Sequence, residues 1–212
     1  MNNKKIKLLI FDWDGTIMNS EAKIVGCLKS MATTLKLPKC TDIELKNIIG
    51  LGLENAILTL FPTEQFDIKK AVKIYRNCYF SSEPQSSDLF ENAKSTIEKL
   101  YDRGYILAIA TGKGERGLLS DLKNTKLTKF FATYRTAEQT KNKPHPQMIN
   151  EILQQLNFKS SQAIIIGDTT YDLEMAQNAK VASIGVSYGV HCPQDLQKYK
   201  PLSIIDNITE LL

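Results

Sequence analysis

Carboxylates, a lysine and a threonine stand where apolar runs of the chain end. Asp12 and Asp14 lie in Asp12-Trp13-Asp14-Gly15-Thr16, Thr111 in Ala110-Thr111-Gly112, Lys143 in Lys143-Pro144-His145-Pro146, and Asp168 and Asp172 in Gly167-Asp168-Thr169-Thr170-Tyr171-Asp172. These are the groups that metal-assisted phosphoryl transfer uses. Several carboxylates converging on one edge repel each other unless a hard cation joins them, and Mg²⁺, which takes oxygen ligands, is the expected cofactor. Thr111, the N–H of Gly112 and Lys143 would offer positive ends to phosphate oxygens. Pro144 is expected to set Lys143 at a helix N-terminus, where the dipole also favours an anion. In this chemistry Asp12 attacks phosphorus in line and forms an aspartyl-phosphate, with its own charge held by the metal. Asp14, two residues on, protonates the leaving oxygen and then takes a proton from the hydrolytic water.

The elements that must position these groups are legible as apolar runs at residues 6–11, 105–110, 163–166 and 181–186, with weaker ones at 130–134 and 202–205. Helical patterns separate them at 93–101, 117–123, 144–156 and 171–180. Strand alternating with helix predicts an α/β fold, a parallel sheet with helices on both faces, and ligands bind such sheets beyond the carboxyl ends of the strands. From about residue 17 to 83 no strand pattern occurs, while Ile24, Cys27, Leu28, Met31 and Leu35, then residues 71–80, keep helical spacing. The expected organisation is a catalytic core of residues 1–16 and 84–212, interrupted by an all-helical domain at 17–83. The polar stretch 81–87 is read as its hinge.

In order and context the four motifs resemble those of the haloacid dehalogenase-like hydrolases, over essentially the whole chain. A helical insertion directly after the first motif is similar to the cap of the phosphoglycolate phosphatase-like subfamily, and Gly50-Leu51-Gly52-Leu53 resembles its cap loop. The resemblance implies a Rossmann-like core with a mobile helical cap and a phosphoric monoester hydrolase activity. It implies Asp12 as nucleophile and Asp14 as acid/base and, through its backbone carbonyl, metal ligand. Thr111 and Lys143 are implied as phosphate binders, Asp168 as metal ligand and Asp172 as a carboxylate supporting the metal. The implied substrate is a small phosphorylated metabolite, with phosphoglycolate the subfamily's ester. A sugar phosphomutase of the same superfamily and a non-enzymatic binding protein on this fold stand as alternatives.

Bulk composition agrees with one globular core plus an insertion: 212 residues, 42% hydrophobic and 24% charged, with a net charge of +4 from scattered lysines. That charge suits a small anion, and the lysines lack the aromatic interleaving of a nucleic-acid surface, so neither nucleic acid nor membrane is expected as a partner. The chain is expected to be a monomer or homodimer. Cys27, Cys40, Cys78 and Cys192 form no C-x-x-C pair or zinc pattern, so reduced, packing thiols and a cytoplasmic address are expected. Asp12 interrupts the first apolar run too early for a signal peptide.

Gly112-Lys113-Gly114-Glu115-Arg116-Gly117, with Glu138 further on, fits a dinucleotide fingerprint literally. That reading leaves the aspartates unexplained. Asp172 has a second reading as a helix cap. His145 and His191 are read as exposed or packing histidines, Arg76 and Lys113 as solvated charges, and Trp13 and Phe11 as packing residues.

Overall fold

A computed structural model describes residues 6–81 and 88–212. β1 (Leu8–Phe11) leads into four helices, α1 (Glu21–Thr34), α2 (Asp42–Asn47), α3 (Leu53–Leu60) and α4 (Ile68–Tyr79). The chain then returns through α5 (Ala93–Asp102), β2 (Ile106–Thr111), α6 (Glu115–Thr125), β3 (Phe131–Thr136) and α7 (Gln147–Leu156). It closes with β4 (Ala163–Gly167), α8 (Thr170–Asn178), β5 (Ala182–Val186) and β6 (Ser203–Ile205). Among the described residues the six strands form one parallel sheet in the order β3-β2-β1-β4-β5-β6. The order reverses between β1 and β4, so the crevice for a ligand lies beyond the carboxyl ends of those two strands.

Every residue of β1 and β4 is buried, as an unbroken apolar run requires when both sheet faces are covered. Strand alternation divides the core. Leu9, Phe11, Leu107 and Ile109 pack with Ile97 and Leu118 of α5 and α6, whereas Leu8, Ile10, Ala108 and Ala110 pack with Met148, Ile152 and Met175 of α7 and α8. The helices α1 to α4 bury a cluster of their own, including Leu28, Met31, Ile57, Val72 and Tyr75. Thr41 and Glu44 form a capping box at α2, and Asp67 caps α4 through the N–H groups of Lys69 and Lys70. Each cap contributes about 1 kcal/mol.

The cysteine expectation needs correcting. Cys27 of α1 and Cys78 of α4 form a disulfide, with their Cα atoms 5.5 Å apart, while Cys40 and Cys192 are free. The pairing arises because α1 packs against α4, and the separation of 51 positions between the two cysteines hides it from any short-spacing rule. The expected hinge at 81–87 lies, from residue 82 on, outside the described residues. No helix among the described residues is long and apolar enough to cross a membrane.

Candidate active site

The register of the sheet assembles the site. Phe11 lies level with Ile109 of β2 and Ile166 of β4. One step further along come Asp12, Ala110 and Gly167, and two steps further Thr111 and Asp168, so three distant segments meet at one edge. The Asp12 N–H donates to the Ile166 carbonyl at 2.8 Å, extending the ladder to the carboxylate itself. Gly15 then turns the chain at φ +87°, and a Cβ there would lie 2.1 Å from Asp168 Oδ2. Only glycine fits both the angle and the space.

Carboxylate oxygens of Asp12, Asp168 and Asp172 lie within 4.8 Å of one another, all buried. Lys143 Nζ sits 2.7 Å from Asp12 Oδ1 and 2.6 Å from Asp172 Oδ1. Three carboxylates against one ammonium leave two negative charges, which a divalent cation would balance. The remaining oxygens are held unequally. Asp168 accepts from Thr16 Oγ1 at 2.8 Å and from the Val190 N–H at 2.9 Å, and Asp172 Oδ2 accepts from Thr169 Oγ1 at 2.7 Å and the Thr169 N–H at 3.1 Å. Asp12 Oδ2 has no hydrogen-bond partner among the described residues although it is fully buried. An orphaned carboxylate oxygen beside two further aspartates fits an oxygen-seeking divalent ion.

The electrostatics follow from burial. Desolvation raises the Asp12 carboxyl well above the usual carboxylate range, the neighbouring Asp172 and Asp168 raise it further, and Lys143 only partly opposes them. Burial and Asp172 push Asp168 up to about 7 against the pull of Val190 and Thr16. For Lys143, burial alone would lower the ammonium, but Asp12 and Asp172 outweigh it and hold the charge firmly.

Asp14 faces the other way. Its carboxylate accepts from Ser20 Oγ at 2.7 Å and from Lys113 Nζ at 3.0 and 3.2 Å. Sequence reasoning misplaced Lys113 as a solvated charge. Its side chain is only 7% exposed and also donates to Tyr79 Oη at 2.6 Å, while Asp121 Oδ2 lies 3.2 Å away. Asp121 in turn accepts from Trp13 Nε1 at 2.8 Å, so Trp13 both packs and anchors this cluster. One signal was available: Leu118, Asp121, Leu122 and Thr125 share the buried stripe of α6, and a carboxylate on such a stripe needs a partner. Thr16, Ser20, Thr169 and Tyr79 were missed as well, because nothing in their spacing marks them.

Thr111 is buried beside Asp12, and its hydroxyl accepts from the Lys113 N–H at 3.1 Å, leaving its proton to be donated elsewhere. Gly112 touches the helical insertion so closely that a Cβ would lie 2.3 Å from the Gly50 carbonyl oxygen. Lys143 does not begin a helix as expected. With Pro146 at the N-cap, α7 starts at Gln147, so Lys143 precedes it by a turn and owes its place to the two aspartates. Asp172 takes its reading as a helix cap, closing the capping box of α8 with Thr169, and it also accepts a hydrogen bond from Lys143.

The dinucleotide reading finds its anion site filled from within the chain. Glu138 Oε2 accepts the Glu115 N–H at 2.9 Å at the start of α6, where a pyrophosphate would have to sit, and Glu138 also pairs with Arg76 of α4. Arg76 is therefore half-exposed but paired. His145 is exposed, and His191 accepts the Thr170 N–H through Nδ1 at 3.0 Å, with burial holding its pKa below that of an ordinary histidine.

A family model described as haloacid dehalogenase-like hydrolase matches residues 9–186. A phosphoglycolate phosphatase of Vibrio parahaemolyticus is 25% identical over 221 residues, covering 100% of this chain and 97% of its own length. The pyrophosphatase PpaX of Bacillus cereus is 26% identical, covering 98% of this chain and 95% of its own. Among solved structures, a haloacid dehalogenase-like family hydrolase of Streptococcus pneumoniae superposes with a TM-score of 0.82 at 27% identity, over 97% of this chain and 96% of that one.

Proposed function

Because the chain belongs to the haloacid dehalogenase-like hydrolases, we propose that it is a Mg²⁺-dependent phosphatase of small phosphomonoesters, working through an aspartyl-phosphate on Asp12. The observation that carries this reading is the buried, unpartnered Asp12 Oδ2 at the base of a cavity shared with Asp14, Thr111 and Gly112. The relatives named as phosphoglycolate phosphatase and pyrophosphatase support phosphate chemistry while differing in substrate.

Asp12, Asp168 and Asp172, with the backbone of Asp14, would hold the ion. When bound, Mg²⁺ supplies the positive charge that lets a carboxylate approach a phosphate dianion. Thr111, the Gly112 N–H and Lys143 hold the phosphate oxygens and fix the line of attack. The Asp12 carboxylate forms a bond to phosphorus through one of its oxygens as the ester P–O bond breaks, and Asp14 delivers a proton to the departing oxygen. Asp14 then takes a proton from water, which attacks the acyl phosphate and frees Asp12 and inorganic phosphate. The helices α1 to α4 act as a cap that excludes bulk water and meets the leaving group.

Phosphate release from 4-nitrophenyl phosphate tests the reading: it should require Mg²⁺, stop on EDTA addition, and vanish in Asp12→Asn. Undiminished turnover by that variant would refute the role of Asp12. A requirement for a bisphosphate primer with little net phosphate would identify a mutase instead.

A further inference from the structure

The cavity beside Asp12 has a volume of about 510 Å³, several times that of a two-carbon acid, and continues past the phosphate-binding groups into the helical insertion. There its wall is mostly carbon, from Ile24 and Leu28 of α1, Ile49 between α2 and α3, and Val72, Tyr75 and Tyr79 of α4, with Glu54 and Asn55 of α3 and Arg76 of α4 as its polar members. Tyr75 and Tyr79 stack with ring centroids 5.9 Å apart, giving this wall a rigid aromatic section.

Two of the cations bordering the cavity are already matched. Lys113 lies between Asp14 and Asp121, its neighbour Tyr79 Oη accepts from it, and Arg76 pairs with Glu138. Arg116 also lines the cavity, exposed and over the Phe80 ring at 4.4 Å. A leaving group lodged against α1 and α4 with a second carboxylate or phosphate would have to bury that charge against aliphatic and aromatic carbon.

Resting on the phosphatase reading, we propose that the preferred substrate is the monophosphate of an alcohol or phenol with an apolar body, rather than of a small acid. The phosphate sits at Asp12 and Thr111, and the apolar body lies against the cavity-facing side of α1 and α4. Ile24, half-buried on α1, and Val72, on α4, set the preference from opposite sides.

The test is kcat/KM of the full chain with Mg²⁺ over methyl, butyl and hexyl phosphate, whose leaving groups are alike in basicity, beside 2-phosphoglycolate and pyrophosphate. Each buried methylene should add up to about fourfold, so hexyl phosphate should exceed methyl phosphate by at least about tenfold and exceed both substrates that carry a second anionic group. Ile24→Lys should flatten the alkyl series and raise phosphoglycolate turnover. Ile24→Thr, a milder change, should shrink the slope without reversing it. A flat alkyl series, or phosphoglycolate or pyrophosphate ahead in the wild-type chain, would overturn the proposal. Calorimetric binding of the same esters to Asp12→Asn separates the two readings. Tighter binding of hexyl phosphate there, with no turnover of any ester by the wild type, would sink the phosphatase assignment alone, whereas turnover without that binding order would sink only the apolar preference.

Discussion

Lys113 Nζ lies 3.0 Å from Asp14 Oδ1 and, from the same ammonium, 2.6 Å from Tyr79 Oη. One lysine thus joins the proposed acid/base carboxyl of the core to a hydroxyl carried by the last helix of the insertion. The orientation of Asp14 is thereby tied to the position of α4.

Removing the hydroxyl should loosen that tie without disturbing the fold. Tyr79→Phe costs one hydrogen bond to a charged donor, about 1.5 to 3 kcal/mol, and kcat should fall by roughly ten- to a hundredfold. Lys113→Met should lower kcat further, because Asp14 and Asp121 both lose their cation. Steady-state kinetics beside a thermal melt check this. A kcat unchanged in both variants would show that Asp14 is oriented without Lys113.

Gly112→Ala tests closure from the other side. The added Cβ would meet the Gly50 carbonyl oxygen, a backbone atom that cannot rotate away. Overpacking of this kind costs about 1 to 3 kcal/mol, and kcat/KM should drop by roughly 5- to 150-fold. The circular dichroism spectrum of the core should not change. A variant of wild-type efficiency would mean that the insertion need not approach Gly112 during turnover.

Metal affinity should rise with pH. Asp168 has its pKa raised to about 7 by burial and by Asp172. In the metal-free protein its folded form therefore holds a proton that the unfolded carboxyl has shed. The stability this contributes is fully present below the unfolded pKa of about 4 and is lost as pH rises through about 7. Asp12, raised in the same direction, adds to the trend. Bound Mg²⁺ requires both carboxylates bare, so binding releases protons. The Mg²⁺-induced rise in Tm should be larger at pH 8 than at pH 5.5. Equal shifts at the two pH values would contradict the buried aspartates as ligands.

The disulfide makes a prediction in chemistry alone. Alkylation of the unfolded, unreduced protein should label Cys40 and Cys192 and spare Cys27 and Cys78, as peptide mass mapping would show. Closing a loop of 51 residues stabilises by up to about 4 kcal/mol, so reduction should lower Tm. Four labelled cysteines without reductant would overturn the pairing.

The alternation of apolar runs and helical stripes was enough to anticipate the sheet, because strands buried on both faces leave continuous hydrophobic stretches such as residues 163–166. Asp12, Thr111 and Asp168 were legible for the same reason, since each stands at the carboxyl end of a strand that the pattern marks, whereas Lys143 was read at a helix start that lies a turn further on. The groups that hold them were not. Thr16 grips Asp168 across 152 positions and Trp13 reaches Asp121 across 108, and no local spacing encodes such pairs. Lys113 was misread because a lysine in a glycine-rich loop has the composition of a surface residue. Its burial depends on α4, which arrives from elsewhere in the chain. Cys27 and Cys78 escaped notice on the same ground.

That disulfide fastens the first and last helices of the insertion to each other, near the two points where the chain leaves and rejoins the sheet domain. The disulfide and the chain between its cysteines close these helices into a covalent ring with their own apolar interior. A unit built in this way is a cassette. Grafted onto the strand ends of a related hydrolase, it would carry its carbon-lined chamber with it, and the recipient's choice of ester would change while its aspartates stayed where they were.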